Sequence, residues 1–500
     1  MEIEKEQSSH ETILKATGIL GSIQVAKLLV GAIGAKCIAV FLGPIGFGMV
    51  GLLNNMLAII GSLTSFGTNV SLSREVTIAK TLEDKNKIAN KLSFLQKWSL
   101  YVGIFGAIVT IVFSPLISKL TFGTTSKYYW FLIVAVNFIF LSLTNYRTAL
   151  LQGHFKAKRL AISGFISSLL ITLISIPLYY FLKQDGILLV IITSGIVGLG
   201  VMFFYTRDIS ISSNKESFFD SFKQVKELAK MGFLLSINVI FGLICSYIVK
   251  LYLNSSGSNT IIVGYYEVSN VILVSYVGII FTAMGTDFYP RLTAIHKDKN
   301  KVTQFVNDQI DIGLLLVTPL IILFYIVSPF LITILYSEDF ISVQLILKAA
   351  LFAVIIKAII WPLAFIILAK GEKRLYFKQE LLGDFLNVTL TLLMFQYLGL
   401  KGIGIAMVFN YTIYGIYVYN LLRKKFEFFV KSETLKIIIV SLTLGLASCI
   451  IVFFDDVLPN YLLLFGLLAI SITYSYFQLS KRIDFKLLFS KIKTKIKGDK

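Results

Sequence analysis

The run ATGILGSIQVAKLLVGAIGAKCIAVF, Ala16 to Phe41, decides what kind of chain this is. It is long and apolar enough to span a bilayer as a helix, for which about 20 residues suffice. It nevertheless carries Lys27 and Lys36. Entered from Ala16, Lys27 lies roughly 16 Å deep at about 1.5 Å per residue, close to the midplane. A lysine there costs at least about 2.5–3.5 kcal/mol on insertion scales. That cost points to a wet cavity or an anionic partner around Lys27. Lys36 lies nearer the outer end, where it reaches either the interface or the same cavity.

The remainder of the 500-residue chain has the same character, 56% hydrophobic and 15% charged. A soluble protein of this length carries about 25% charge. The composition therefore predicts an all-α polytopic membrane protein, because lipid requires every backbone group to be satisfied internally. About 14 segments reach the spanning length. They run approximately 16–41, 48–73, 92–114, 128–152, 160–182, 186–206, 229–253, 262–289, 310–335, 343–369, 380–398, 402–422, 435–454 and 459–479.

A net charge of +19 raises the question of nucleic acid, but the positions of the charges argue against it. Alternate connections are basic: 74–97, 154–159, 207–230, 291–301, 370–378, 423–436 and the tail 481–500. The others are short and nearly free of Lys and Arg, with Lys119, Lys127, Lys183 and Lys401 as the exceptions. The positive-inside rule then puts both termini in the cytoplasm. The lysine-rich tail reads as a solvated end resting on anionic membrane lipids. Cys37, Cys245 and Cys449 lie inside apolar segments and read as packing residues. His10, His154 and His296 lie far apart at segment ends, so no metal site is implied. The N-terminus, with Glu2, Glu4, Glu6 and Glu11, lacks the basic region of a cleavable signal peptide.

An internal repeat shows in its landmarks. Arg74 recurs as Arg291, Gly153 as Gly371, Asp185-Gly186 as Lys401-Gly402 and Gly46 as Gly264, all at offsets of 216 to 218. Six spans per repeat bring both halves in from the same side. The expected fold is two six-helix lobes, 12–210 and 228–425, related by a pseudo-two-fold along the membrane normal. The stretch 211–227 links them, and an additional helix pair, 435–480, precedes the tail.

Lys357 lies near the middle of the tenth segment, four residues before Trp361-Pro362, where a proline frees a carbonyl and bends a helix. Each lobe thus carries a deep lysine. Lys250 and Lys348 lie near the outer ends of their segments, within snorkelling reach, and Arg147 near the inner end reads as an interface anchor. Among the few acids, Glu267 is placed to pair with Lys250, Asp287 nearly closes its segment and Asp384 sits in the first turns of the eleventh. Amides at membrane depth, such as Asn54, Asn270, Asn387 and Asn410, bind sugar hydroxyls or hydrogen-bond between helices, the latter being commoner. Gly18, Gly21, Gly31 and Gly34 read as sites of close helix packing. The resulting picture is a cationic cavity between two lobes, lined by Lys27, Lys36, Lys357 and Lys250 and suited to an anionic substrate. Catalytic carboxylate pairs, nucleophile motifs and phosphate-cradling loops are absent, so the sequence predicts a transporter and not an enzyme, needing no cofactor.

On these residues the chain resembles the O-antigen and enterobacterial common antigen flippases, within the multidrug/oligosaccharidyl-lipid/polysaccharide exporter superfamily. The resemblance rests on FLGPIGFG (Phe41 to Gly48), the lysines before it, GYYEVSN, FYPRL (Phe288 to Leu292), the run around Lys357 and LAKGEKRLYFKQE (Leu368 to Glu380). It extends through the twelfth segment and is weaker over the last two. It implies an undecaprenyl-pyrophosphate-linked oligosaccharide as substrate, moved to the periplasmic leaflet of the bacterial inner membrane for lipopolysaccharide or related synthesis. It also implies polysaccharide polymerase and chain-length machinery as partners. Two rivals share the fold class: a multidrug or cation antiporter, which wants deep carboxylates, and a peptidoglycan-precursor flippase. A polymerase or ligase would need longer outer connections.

Overall fold

The computed structural model describes residues 2–65, 67–80, 85–209, 218–255, 260–454 and 460–481. Among these residues every regular element is helical. Ten helical stretches are long and apolar enough to cross a membrane. Ile261–Val277 and Ile279–Ala294, bent by 45°, make an eleventh if taken as one span. Three of the ten are double-length: Ser22–Thr64, Ala157–Thr206 and Lys373–Phe426. Each divides at a break into two pieces of spanning length, so the pieces reproduce the set of about 14 spans expected from the sequence. The chain is a multi-pass membrane protein.

The breaks have identifiable causes. Helix α1 (Glu2–Thr64) is interrupted at Gly43, with φ 64° and ψ −167°, and Pro44 opens the next piece. Gly43 supplies a backbone conformation that a Cβ would strain, and Pro44 loses no hydrogen bond at a first helical position. Between α7 (Ala157–Leu182) and α8 (Gly186–Thr206) the turn is made by Lys183, with φ 50° and ψ −126°. In α14 (Lys373–Phe426) Gly399 takes φ 57° and ψ −138°. Lys183 and Gly399 are 216 positions apart, the offset of the sequence repeat. The match continues three residues on. A Cβ on Gly186 would collide with the carbonyl of Leu178, and one on Gly402 with the carbonyl of Met394. The second segment ends sooner than expected, at Thr64, and a separate helix α2 (Thr68–Lys80) follows.

By packing, the chain forms two units: 1–264 with 335–339, and 265–334 with 340–500. In the first, α1 packs on α7, and α6 (Asn137–Gly153) lies against both α3 (Lys85–Val112) and α8. Its core holds Trp130, Phe131 and Tyr146, the last donating its hydroxyl to the Leu92 carbonyl at 2.8 Å. Close approaches occur at Gly103 against Ile139 and at Gly153 against Val76. Gly48 and Gly264, also 216 apart, form a reciprocal contact, each seated against the other segment's carbonyl, Thr260 and Pro44 respectively. The glycines expected to serve packing do less: a Cβ on Gly31 meets nothing within 4 Å, and one on Gly34 makes ordinary contact with Thr172 at 3.4 Å. Side chains before residue 22 lie outside the described residues, Gly18 and Gly21 included.

In the second unit α13 (Val343–Ala369) is central, packed on α14 and on α15 (Ser432–Phe454). Gly404 sits against the Ile346 carbonyl and Gly445 against Ile355, so the helix pair α15 and α16 (Tyr461–Ser480) joins this unit through α15. The Lys348 carbonyl accepts from Tyr325 Oη at 2.9 Å and Cys449 Sγ at 3.2 Å. The loop after α14 is fixed by Asn307, which donates to the Phe429 carbonyl and accepts from the Lys431 amide.

One ion pair in each unit ties the start of a hairpin to its end. Lys156 and Arg159 hold Asp208 at 3.0 and 2.7 Å. Lys425 holds Glu372 at 2.8 Å. Positions 156 and 208 correspond to 372 and 425 at the repeat offset, so the repeat keeps the pair and swaps its signs. The Arg159 and Lys156 hydrogen bonds lower the Asp208 carboxyl from 3.8 to about 2. Residues 211–217 and 482–500, which hold most of the expected linker and tail, lie outside the described residues; 218–227 open helix α9 (Phe218–Ser255).

Candidate functional site

Each unit has a polar cavity lined by residues of its long apolar helices, and the two differ in charge. The cavity of the first unit is about 310 Å³ and is lined by Asn54, Thr64, Asn137, Ser142, Asn145 and Ser194 among others, with no ionisable side chain. It is neutral and offers both donors and acceptors.

Lys27 lies elsewhere on this unit. Its side chain is exposed, and its Nζ is 3.8 Å from where a Cβ on Gly164 of α7 would stand. Among the described residues it makes no ion pair and no hydrogen bond. Gln24, one turn earlier, is exposed as well. An apolar helix thus presents a lysine and an amide with room beside them, because the facing residue on α7 is a glycine.

The other candidate lysines of this unit have their ammonium groups engaged within it. Lys36 is half-buried and donates to the Tyr336 carbonyl at 2.5 Å. Lys250 is 6% exposed. With the Asn55 amide turned to donate to the Leu243 carbonyl, its oxygen accepts from Lys250 Nζ, both at 3.2 Å. Snorkelling was the expectation for Lys250 and Lys348; both are buried instead. Arg147, expected at the interface, is buried too, donating to Thr206 Oγ1 at 2.9 Å with its guanidinium over Phe203.

Lys357 lines the cavity of the second unit, about 390 Å³ in volume. Its Nζ lies over two rings, Phe281 at 5.5 Å and Tyr411 at 5.9 Å. The negative ring faces attract the cation there. The aromatic cluster of Phe281, Phe288, Phe365 and Trp361 backs it. A π-type stretch, Val271–Val277, adjoins the cavity at Asn270; such widened turns recur at functional sites.

The same cavity holds two carboxylates, Glu380 and Asp384, one turn apart on α14. Glu380 is hydrogen-bonded by Tyr414. Among the described residues neither carboxylate pairs with Lys357. The cavity expected from the sequence is cationic, and in the second unit that is corrected: one ammonium shares the space with two carboxylates. Helix α14 starts at Lys373, so Glu380 stands two turns inside it, although in the sequence it ends a basic run. The spacing of Glu380, Asp384 and Asn387 along one helical face was the available signal.

Among the described residues no three His, Cys, Asp or Glu side chains are grouped to hold a metal ion. His154 and His296 bond backbone carbonyls at helix ends.

A family profile described as polysaccharide biosynthesis protein matches residues 37–345, more than half of the chain, and the chain belongs to that family. No curated protein matches it. Among solved structures, the lipid II flippase MurJ in an inward closed conformation is similar over 92% of this chain and 99% of its own, with a TM-score of 0.69 and 14% identity. An inward-facing multidrug resistance MATE family transporter of the MOP superfamily is similar over 82% and 98%, with a TM-score of 0.67 and 16% identity. A MOP superfamily transporter from Pyrococcus furiosus, described as having a binding pocket of reverse polarity, covers 82% and 93% at a TM-score of 0.56 and 16% identity. The fold is that of these transporters.

Proposed function

We propose that this member of a polysaccharide biosynthesis family is a flippase for an undecaprenyl-pyrophosphate-linked oligosaccharide, an O-antigen unit or a related surface polysaccharide. It works in the bacterial inner membrane, with both termini cytoplasmic, and delivers the unit to the periplasmic leaflet by alternating access. Each sugar hydroxyl carried bare through hydrocarbon costs several kcal/mol, so such a cargo needs a polar path. The pyrophosphate needs positive charge along that path, and the prenyl tail stays in lipid. Gradients of ions or of the cargo drive the step, since the sequence carries no nucleotide-binding loop.

The observation that carries this reading is Lys27. It is exposed at membrane depth on an apolar helix, beside a glycine that leaves room, with no partner among the described residues. A charge so placed is costly unless a ligand or water meets it. We assign it the pyrophosphate. Lys36 and Lys250 are engaged with a carbonyl and an amide of the first unit. Lys357 lies with two carboxylates in the cavity of the second unit, and we assign it the sugar portion of the cargo. The test is surface glycan in cells carrying Lys27→Ala or Lys357→Ala. The reading expects glycan to be lost in Lys27→Ala, with the protein still in the membrane. Full glycan would remove the assignment.

The carboxylates of the second unit favour one rival, a multidrug or cation antiporter. Raised drug resistance on expression, with unchanged glycan in a deletion strain, would support it.

A further inference from the structure

The second unit's cavity has more acceptors than donors. Glu380 and Asp384 contribute four carboxylate oxygens against the single ammonium of Lys357, and Lys357 rests on aromatic rings and not on either acid. Asp384 makes no hydrogen bond and no ion pair among the described residues. Asn410 is 9% exposed, and its side-chain oxygen is buried with no hydrogen-bond partner. That amide lines the same cavity. Buried polar atoms are ordinarily paired, so an unpaired acceptor in the wall of a cavity that also holds two carboxylates indicates a missing donor. The walls add the aromatic side chains of Tyr411, Tyr414 and Trp361, flat surfaces that suit a ring with one apolar and one polar side. The space, about 390 Å³, accommodates one sugar ring with water.

We propose that this cavity is a glycan subsite which takes a neutral or amino sugar of the cargo by its hydrogen-bond donors and rejects an acidic sugar. Asp384 and the Asn410 oxygen accept from the ring hydroxyls or an ammonium, Glu380 shares the work with Tyr414, and Lys357 donates to a ring or acetamido oxygen. Two carboxylates against one ammonium give the site a net negative formal charge, and a like charge brought into it is disfavoured. The first unit's neutral cavity imposes no such selection. This inference rests on the flippase reading, since it supplies the class of cargo, yet it is tested separately.

The experiment uses the full chain in nanodiscs, with Trp361 fluorescence as the reporter and a Trp361→Phe protein as the blank. Glucosamine, glucose, glucuronate and sodium chloride are titrated in turn. Saturable changes with glucosamine and glucose are expected, tightest for glucosamine, with glucuronate weaker by about tenfold or more. Asp384→Asn, if it melts as the parent does, should narrow the gap between glucosamine and glucuronate. Where that variant does not fold, the parent's own ranking of the sugars decides. Equal binding of glucuronate, or saturable change with sodium and none with sugar, overturns the proposal; the latter marks a cation site. Undecaprenyl pyrophosphate without sugar is titrated in parallel. If it binds and the sugars do not discriminate, this inference fails and the flippase reading stands; if it does not bind, the flippase reading itself fails.

Discussion

The turn residues Lys183 and Gly399 allow a quantitative test of the internal repeat. Both hold positive φ with ψ near −130°, a conformation that favours glycine; one position has it and the other does not. A non-glycine residue held in such a region costs about 1–3 kcal/mol. Lys183→Gly should therefore stabilise the protein, offset partly by the larger entropy of a glycine in the unfolded chain, for a net gain of about 1 kcal/mol. Gly399→Lys should cost about 1–3 kcal/mol by the same reasoning. A shift of about 2–4 °C per kcal/mol applies to a unit of this size. The assay is thermal unfolding in detergent at one heating rate, because membrane proteins often unfold irreversibly. Gly31→Ala is the control: its Cβ enters open space in a helix, and alanine should gain up to about 1 kcal/mol. Gly186→Ala and Gly402→Ala, which drive a Cβ into a backbone carbonyl, should both prevent accumulation. If Lys183→Gly lowers the midpoint, or Gly399→Lys matches Gly31→Ala, the claim of equivalent turns is wrong.

Other expectations concern the ion pairs and the engaged lysines. The Asp208 carboxyl is lowered to about 2, so its stabilisation is complete above the ordinary carboxylate value of 3.8 and is lost as pH falls through about 2; Asp208→Asn should flatten the melting midpoint over that window. Glu372→Lys should lower the midpoint by setting like charges face to face, and the double variant with Lys425→Glu should restore it. Lys250→Met leaves the buried Asn55 oxygen without that donor, a loss of about 1–3 kcal/mol read as lower yield and midpoint.

Much of the fold was legible because lipid enforces it: runs of about 20 apolar residues announce spans, and Gly43-Pro44 announces a break. The repeat offset, read from a handful of landmarks, reappears in the backbone angles at Lys183 and Gly399 and in the sign-swapped ion pairs. Which face of a helix meets a neighbour was not legible. The spacing of Gly31 and Gly34 suits packing, yet Gly31 meets open space, since spacing does not say where the partner lies. The lysines illustrate the same limit. Depth singled out Lys27 and Lys357, whereas the burial of Lys250 and Lys348 depends on helices distant in sequence. Glu380 is not legible as a cavity residue because the basic run before it disguises the start of α14.

The central claim is that the ammonium of Lys27 meets the pyrophosphate of the cargo. The direct measurement is the affinity of undecaprenyl pyrophosphate for the nanodisc-held protein and its Lys27→Gln variant, both confirmed folded. A hydrogen bond to a charged group contributes about 1.5–3 kcal/mol, so the variant should bind about 10- to 150-fold more weakly. Equal affinity in parent and variant would contradict the account.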